Sequence, residues 1–152
     1  MIAIRQITQA HKPESEFIRQ IVDVFCAARV ARLQFLMDVH NAEEDRRFFS
    51  TVVLPTKQVW VAEVDGQVVG FIAFAERWVN HLYVKPTFQR RGIGTRLLAI
   101  AKKSNPTLQL WVFESNEPAI AFYERQGFRT VERTDGSDNE VKMPDLRMAW
   151  RA

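Results

Sequence analysis

Polar and apolar residues alternate in several short segments of this chain, and in other segments apolar residues recur every three or four positions. Alternation is typical of a strand with one exposed face, and the longer period is typical of an amphipathic helix. Together they predict the element order β-α-α-β-β-β-α-β-α-β-β. The predicted strands cover residues 2–7, 59–64, 68–75, 78–84, 108–113, 128–133 and 146–150.

Four helices are predicted between these strands, over residues 13–28, 42–53, 92–103 and 118–126. The apolar spacing of the first helix can be followed to Met37, and Asn41 is a candidate cap for the second, which Pro55 is expected to end. Asp65-Gly66 is a strong hairpin signal. The uninterrupted apolar run that follows it indicates a strand in the middle of the sheet.

Composition favours one folded domain over residues 1–152, with 47% hydrophobic residues and a net charge of +3. Basic residues do not form the clustered stripe that nucleic-acid binding needs, so no nucleic-acid partner is expected. No apolar run has the length of a membrane span, and the first residues do not resemble a signal peptide, so we expect a soluble, cytoplasmic protein with no membrane partner.

Metal and disulfide chemistry also find no support in the sequence. The chain has one cysteine, Cys26, which we interpret as a small apolar residue in the first helix. The three histidines, His11, His40 and His81, are far apart and lack ligand spacing. No metal site is predicted.

The most informative segment joins the strand at 78–84 to the next helix through the sequence Gln-Arg-Arg-Gly-Ile-Gly, residues 89–94. A strand followed by a glycine loop and a helix start directs several backbone N–H groups to one point, where the helix dipole favours negative charge. Glycine allows a ligand to approach the backbone closely. Arg90 and Arg91 add positive charge, so the loop predicts a phosphate-bearing ligand.

A second segment, N-x-x-A-x-x-F-Y-E-x-x-G-F at residues 116–128, follows the strand at 108–113. These two motifs in this order resemble the GNAT superfamily of acyl-CoA-dependent N-acyltransferases, over roughly residues 68–128. The resemblance implies an α/β fold with a mixed, mostly antiparallel sheet flanked by helices. Its central parallel strands, 78–84 and 108–113, would splay apart around the pantetheine arm of acetyl-CoA.

The resemblance also implies a set of cofactor-binding residues. The strand backbone at Leu82, Tyr83 and Val84 would pair with pantetheine and polarise the thioester carbonyl, and the glycine loop would hold the pyrophosphate. Asn116 would bind the pantetheine amides, although an N-cap role is compatible with it. The remaining members of the set are Gln89, Arg90, Arg91, Gly92, Ile93, Gly94, Thr95, Ala119 and Tyr123.

Tyr123 would act as the general acid that protonates the leaving thiolate, and a core tyrosine with a bonded hydroxyl is the alternative. Bases in the family often share a strand face with Leu82, but Asn80 and Trp78 at those positions do not titrate usefully. His81 has the opposite parity and is interpreted as a sheet or core residue, with a catalytic role as the alternative.

The acceptor side is less well defined by the sequence. His40 is the second catalytic candidate, because it is near the helix–helix region that forms one wall of the acceptor site in the family. Two alternatives for removal of the amine's proton stay open: water as the base, or loss of the proton to bulk solvent before binding. Glu114 and Glu140 are weaker acidic candidates. Trp111 replaces a Glu of the ribosomal N-terminal acetyltransferases, which argues against that activity.

We therefore expect an acetyl-CoA-dependent N-acetyltransferase that moves the acetyl group to a primary amine by direct attack in a ternary complex. A small-molecule acceptor is preferred. A protein or peptide acceptor, and a sensor that binds acyl-CoA without turnover, remain as alternatives. Whether the chain forms a homodimer is left open.

Overall fold

The computed structural model describes residues 2–7, 14–32 and 42–152. Seven strands form a single sheet: β1 (Ala3–Gln6), β2 (Gln58–Val64), β3 (Gln67–Ala75), β4 (Trp78–Val84), β5 (Thr107–Phe113), β6 (Arg129–Thr134) and β7 (Asp145–Arg151). The helices are α1 (Glu14–Arg32), α2 (Ala42–Phe48), α3 (Leu54–Thr56), α4 (Ile93–Ser104) and α5 (Glu117–Arg125). In the described part of the chain, no helix is long and apolar enough to cross a membrane.

The strands follow the order β1-β2-β3-β4-β5-β7-β6, and every neighbouring pair is antiparallel except β4 and β5. Those two parallel strands pair at one position alone, Trp78 with Gln109, where the Gln109 N–H also donates to the Arg77 carbonyl at 2.9 Å. Beyond that position the strands part. The predicted mixed sheet with splayed central strands is therefore confirmed.

Helices cover the sheet from both sides, and this explains the uninterrupted apolar run of β3. One face packs against α1 and the helical turns after α2, and the other packs against α4 and α5. Because β3 is buried on both faces, its residues do not alternate in polarity. The predicted inner face of α4 is confirmed, with Ile93, Leu97, Leu98 and Ala101 all buried.

The end of the predicted second helix differs from the structure. The predicted second helix, 42–53, divides into α2 and a π-helical turn at Phe49–Val53, and Pro55 does not end it. The chain instead makes one more helical turn, α3, with Pro55 in its first turn, where a residue needs no N–H donor. The extension of the first helix to Met37 and the Asn41 cap lie outside the described residues.

A bulge in β4 changes which of its side chains share a face. Ala73 of β3 pairs with His81, and Phe74 pairs with Val79, so Asn80 has no partner in the ladder. Val79 therefore packs in the same core as Leu82. The expectation that Trp78, Asn80 and Leu82 share one face is wrong, because an unpaired residue resets the alternation of a strand.

Candidate active site

A small cleft of about 170 Å³ opens where β4 and β5 separate. Leu82 and Tyr83 line it from β4, and Trp111 lines it from β5. Its third wall is the start of α5, with Asn116, Ala119 and Tyr123. Past the Trp78–Gln109 pair, the edge of β4 that faces this cleft has no ladder partner among the described residues, so its backbone groups are available to an extended ligand.

The glycine loop begins α4 with an uncapped helix terminus. Gly92 is the N-cap residue in a left-handed conformation (φ +79°), and no side chain caps the helix there. The first intrahelical bond runs from the Arg96 N–H to the Gly92 carbonyl at 3.0 Å. The N–H groups of Ile93, Gly94 and Thr95 precede that bond and have no acceptor inside the helix. This geometry favours an anion at the helix start.

Polar contacts fix the loop to the end of β4. The Gln89 side chain donates through Nε2 to the Val84 carbonyl at 3.0 Å, so it has a structural contact that the motif alone did not indicate. The Arg91 guanidinium lies over the Phe88 ring, 5.0 Å from its centroid. Arg90 has a positive φ of 65° and is exposed. Both arginines thus remain at the surface beside the uncapped terminus.

Gly94 has a packing role that differs from the expected one. A Cβ built on Gly94 would lie 3.2 Å from the Phe122 ring of α5, whereas a Cβ on Gly92 meets nothing within 4 Å. Gly94 therefore lets α4 approach α5, and Gly92 provides the left-handed turn. Thr95 also joins the two helices, because its Oγ1 accepts a hydrogen bond from Gln126 Nε2 at 3.0 Å.

Asn116 has the N-cap role that the sequence left open for it, and its side chain also lines the small cleft. It is the N-cap of α5, and its Oδ1 accepts a long hydrogen bond, 3.4 Å, from the Ala119 N–H. The side-chain Nδ2 has no hydrogen-bond partner among the described residues. Because Asn116 lines the small cleft, this amide can donate to a ligand there while the oxygen caps the helix.

The Tyr123 ring is buried against Phe122 and Phe128, with centroids 5.3 Å and 5.5 Å away. Its hydroxyl has no hydrogen-bond partner in the described part of the chain, although Tyr123 lines the small cleft. A core tyrosine would normally satisfy its hydroxyl, so this arrangement favours a hydroxyl kept for a ligand. Burial raises the pKa of Tyr123, with a smaller contribution from Tyr83, so the phenol stays protonated at neutral pH.

A larger cleft of about 630 Å³ lies on the α1 and α2 side of the sheet. Its walls come from α1, α2, β4 and the β6–β7 loop, and it joins the small cleft at residues that line both. These shared residues are Arg29, Asn80, His81, Tyr83 and Phe113. The two clefts therefore meet where β4 and β5 separate.

The β6–β7 loop forms its part of this wall through internal hydrogen bonds. Asn139 donates to the Met143 carbonyl at 2.6 Å and accepts from the Met143 N–H at 3.2 Å. A Cβ on Gly136 would lie 2.2 Å from the Met143 carbonyl oxygen, which shows how tightly the loop closes. Glu140 lies on the cleft side of this loop.

His81 is the residue at the junction whose position the sequence did not predict. It lies on the opposite face from Leu82, as expected, and packs among aromatic rings. Burial and the nearby Lys57 lower the pKa of His81 to about 4, so it is neutral at pH 7. Strand alternation predicted the parity of His81, but no local pattern indicated the bulge at Asn80 or that His81 lines both clefts.

The other acceptor-side candidates differ in where they lie. His40 lies outside the described residues. Glu114 is exposed, pairs with Arg133 at 3.6 Å and does not line the larger cleft. Trp111 is 45% exposed and lines the small cleft. Among the described residues, no group of three His, Cys, Asp or Glu side chains could hold a metal ion.

Comparison with known proteins agrees with this geometry. Residues 55–130 match the family model for the GNAT acetyltransferase domain. The chain is 38% identical over 98 residues to the peptidyl-lysine N-acetyltransferase YiaC of Escherichia coli (strain K12), covering 64% of this chain and 66% of YiaC. The matched region thus spans just under two thirds of that relative.

Solved structures of the same fold cover almost the whole chain. The solution structure of apo YjaB from Escherichia coli has a TM-score of 0.78 and 28% identity, over 99% of this chain and 97% of YjaB. YjaB is named a peptidyl-lysine N-acetyltransferase. The PaiA N-acetyltransferase of Thermoplasma acidophilum, solved with coenzyme A, has a TM-score of 0.68 and 22% identity over 100% and 99% of the two chains, and supports the fold alone.

The splayed parallel strands, the uncapped glycine loop and the match to the family model agree with one another, and they confirm the expected enzyme class at the level of the family. The chain belongs to the GNAT acetyltransferase family.

Proposed function

We propose that this protein transfers the acetyl group of acetyl-CoA to a primary amine by direct attack of the amine on the thioester in a ternary complex. The observation that carries the proposal is the meeting of the two clefts at Asn80, His81 and Tyr83. A cofactor arm in the small cleft and an amine in the larger cleft would reach this junction from opposite sides. Neither would have to leave before the other enters.

Different cofactor-binding residues would hold different parts of acetyl-CoA. The uncapped N–H groups of Ile93, Gly94 and Thr95, with Arg90 and Arg91, would hold the pyrophosphate. Asn116 Nδ2 would donate to an amide of the pantetheine arm, with Ala119 leaving room beside it. The free edge of β4 at Leu82, Tyr83 and Val84 would pair with the same arm. Gln89 and Gly92 would keep the loop in the required shape.

Tyr123 is proposed as the general acid. In the reaction the N–C bond forms, the C–S bond breaks, and the thiolate of coenzyme A needs a proton. The raised pKa keeps the Tyr123 hydroxyl protonated until that moment. A thiolate in the same buried cleft is also poorly solvated, which raises its basicity and favours proton transfer from the phenol.

The acceptor amine must lose a proton before or during attack. His40 stays a candidate for this step, alongside water and loss of the proton to bulk. We favour loss of the proton without a side-chain base, because His81, the histidine where the two clefts meet, has a pKa of about 4 and is too weak a base to hold the amine's proton. The value of kcat/KM should then rise with pH up to the amine's own pKa. A break near pH 6.5 that disappears in His40→Ala would instead assign the base to His40.

A small-molecule amine is our preferred acceptor, since the larger cleft is a concave space with aromatic side chains from Phe25, Phe48 and Phe113. A lysine side chain of a protein is the second candidate. It is favoured by the names of YiaC and YjaB, which are both peptidyl-lysine N-acetyltransferases. A lysine side chain could enter the same cleft through its apolar stem.

The experiment is a turnover assay that follows release of free coenzyme A from acetyl-CoA with two acceptor panels. One panel contains small primary amines, and the other contains lysine peptides blocked at the N-terminus, with acetyl-lysine detected by mass spectrometry. Turnover with either panel, lost in Tyr123→Phe, supports the activity, and the panel used assigns the acceptor class. Acetyl-CoA binding without turnover in both panels would favour the sensor alternative.

A further inference from the structure

His81 occupies an unusual environment for a histidine at a reaction centre. Its ring lies between 5.2 and 6.4 Å, centroid to centroid, from the rings of Phe25, Phe48, Phe49, Phe71 and Tyr83. Nδ1 is buried and has no hydrogen-bond partner in the described chain. Nε2 is not among the buried, unpartnered atoms. Since His81 lines both clefts, Nε2 is the ring nitrogen that reaches the junction.

This environment determines where the ring carries its proton. The pKa of about 4 keeps the imidazole neutral, so it has one N–H. A buried N–H without an acceptor is rarer in proteins than a buried acceptor with an unused lone pair. The proton therefore belongs on Nε2, and Nδ1 keeps the lone pair. At the junction His81 offers a hydrogen-bond donor, and its free lone pair is turned into the aromatic surroundings.

We infer that His81 is a hydrogen-bond donor of the acetyl transfer step, and that its Nε2–H stabilises the oxygen on which negative charge develops when the amine attacks the thioester. The inference rests on the proposed function for its substrates. His81 keeps its proton throughout: the amine's proton leaves to solvent or another base, and the thiolate receives a proton from Tyr123. Fixed donors aimed at developing charge are among the strongest contributions to acyl transfer.

The bulge in β4 explains how His81 can donate a hydrogen bond at the junction although its side chain lies on the opposite face of the strand from Leu82. The bulge at Asn80 turns β4 at the level where it parts from β5, so that Asn80 and His81 both line the two clefts. Packing between α1 and α2 residues then fixes the ring plane. A donor that is held in place before the substrate arrives needs little reorganisation during reaction.

Two substitutions of His81 distinguish a role as hydrogen-bond donor from a role as base and from a role in packing alone. His81→Phe keeps an aromatic ring without a donor, and His81→Gln keeps an N–H near the position of Nε2 without a titratable group. We expect His81→Phe to lower kcat by about 10²-fold with little change in the KM for acetyl-CoA, and His81→Gln to stay within about tenfold of wild type. Equal losses in both variants, or a fully active His81→Phe, would overturn the inference.

The tautomer can be measured without any turnover, so this test is independent of the proposed activity. In ¹⁵N NMR of histidine-labelled wild type at pH 7, with His81 assigned through the His81→Gln variant, we expect the proton on Nε2. A proton on Nδ1, or a doubly protonated ring, would contradict the assignment. If wild type turns over no amine while His81 carries its proton on Nε2, the proposed function fails and the donor geometry stands.

Discussion

The two sides of the junction are built in different ways. The proposed cofactor side comes from two continuous stretches, residues 82–95 and 116–123, each at or just after the end of a strand. It relies on backbone N–H groups, a left-handed glycine and a helix cap, all of which are local properties of the chain. The acceptor side collects side chains from α1, α2, β4 and the β6–β7 loop, which are distant in sequence.

This difference has a physical consequence for how each side responds to change. A backbone site depends on local conformation, so a single Cβ in the wrong place can damage it. A side-chain site depends on packing between distant elements, so its properties follow from burial and neighbouring rings. Tyr123 belongs to the first side and His81 to the second, and both line the small cleft.

The largest effect is expected at Tyr123. Tyr123→Phe should lower kcat by about 10²-fold, a typical loss for a general acid, with acetyl-CoA affinity almost unchanged. Since its hydroxyl has no partner among the described residues, stability should also change little. The matched control is Tyr83→Phe, a partly buried tyrosine that lines both clefts. An equal loss of kcat in Tyr123→Phe and Tyr83→Phe would contradict the assignment of Tyr123 as the general acid.

The next prediction uses the pH dependence of the free energy of unfolding to test whether His81 is buried. An unfolded histidine takes up a proton near pH 6.5, and folded His81 does so near pH 4. Between these values the unfolded state binds more protons, so the free energy of unfolding should fall by about 2 kcal/mol from pH 7 to pH 5. Urea denaturation should show this fall reduced in His81→Phe. The same fall in both proteins would mean that His81 is not buried as described.

A smaller effect, of about tenfold in affinity or about 1.4 kcal/mol, is expected on the cofactor side for Gly92→Ala. Gly66→Ala is a close control: φ is +79° at Gly92 and +78° at Gly66, and a Cβ meets nothing within 4 Å at either. Both changes should cost similar stability through backbone strain. Only Gly92→Ala should weaken acetyl-CoA binding in calorimetry. Equal affinity of the two variants for acetyl-CoA would mean that the glycine loop does not bind the cofactor.

The same contrast explains how much the sequence could predict. The strand bounds of β4, the hairpin at Asp65-Gly66 and the start of α4 depend on local patterns, and they were predicted to within a residue. The bulge at Asn80 depends on how β4 pairs with β3, which no local pattern records. It was this bulge that made the predicted shared face of Asn80 and Leu82 wrong.

Other residues show the same limit. Gly94 was assigned to close approach by a ligand, but its contact is with Phe122, which is 28 residues later in the chain. The β6–β7 loop is a polar stretch in the sequence, and its role as a cleft wall depends on the hydrogen bonds between Asn139 and Met143. Contacts of this kind follow from tertiary packing, so only the structure reveals them.

The central claim is that the space between β4 and β5, with the uncapped start of α4, binds acetyl-CoA. Isothermal titration calorimetry of the wild-type protein with acetyl-CoA tests it most directly. We predict a dissociation constant on the order of micromolar, increasing with added salt because a polyanion is held by Arg90, Arg91 and a helix terminus. No binding at millimolar acetyl-CoA would contradict the claim.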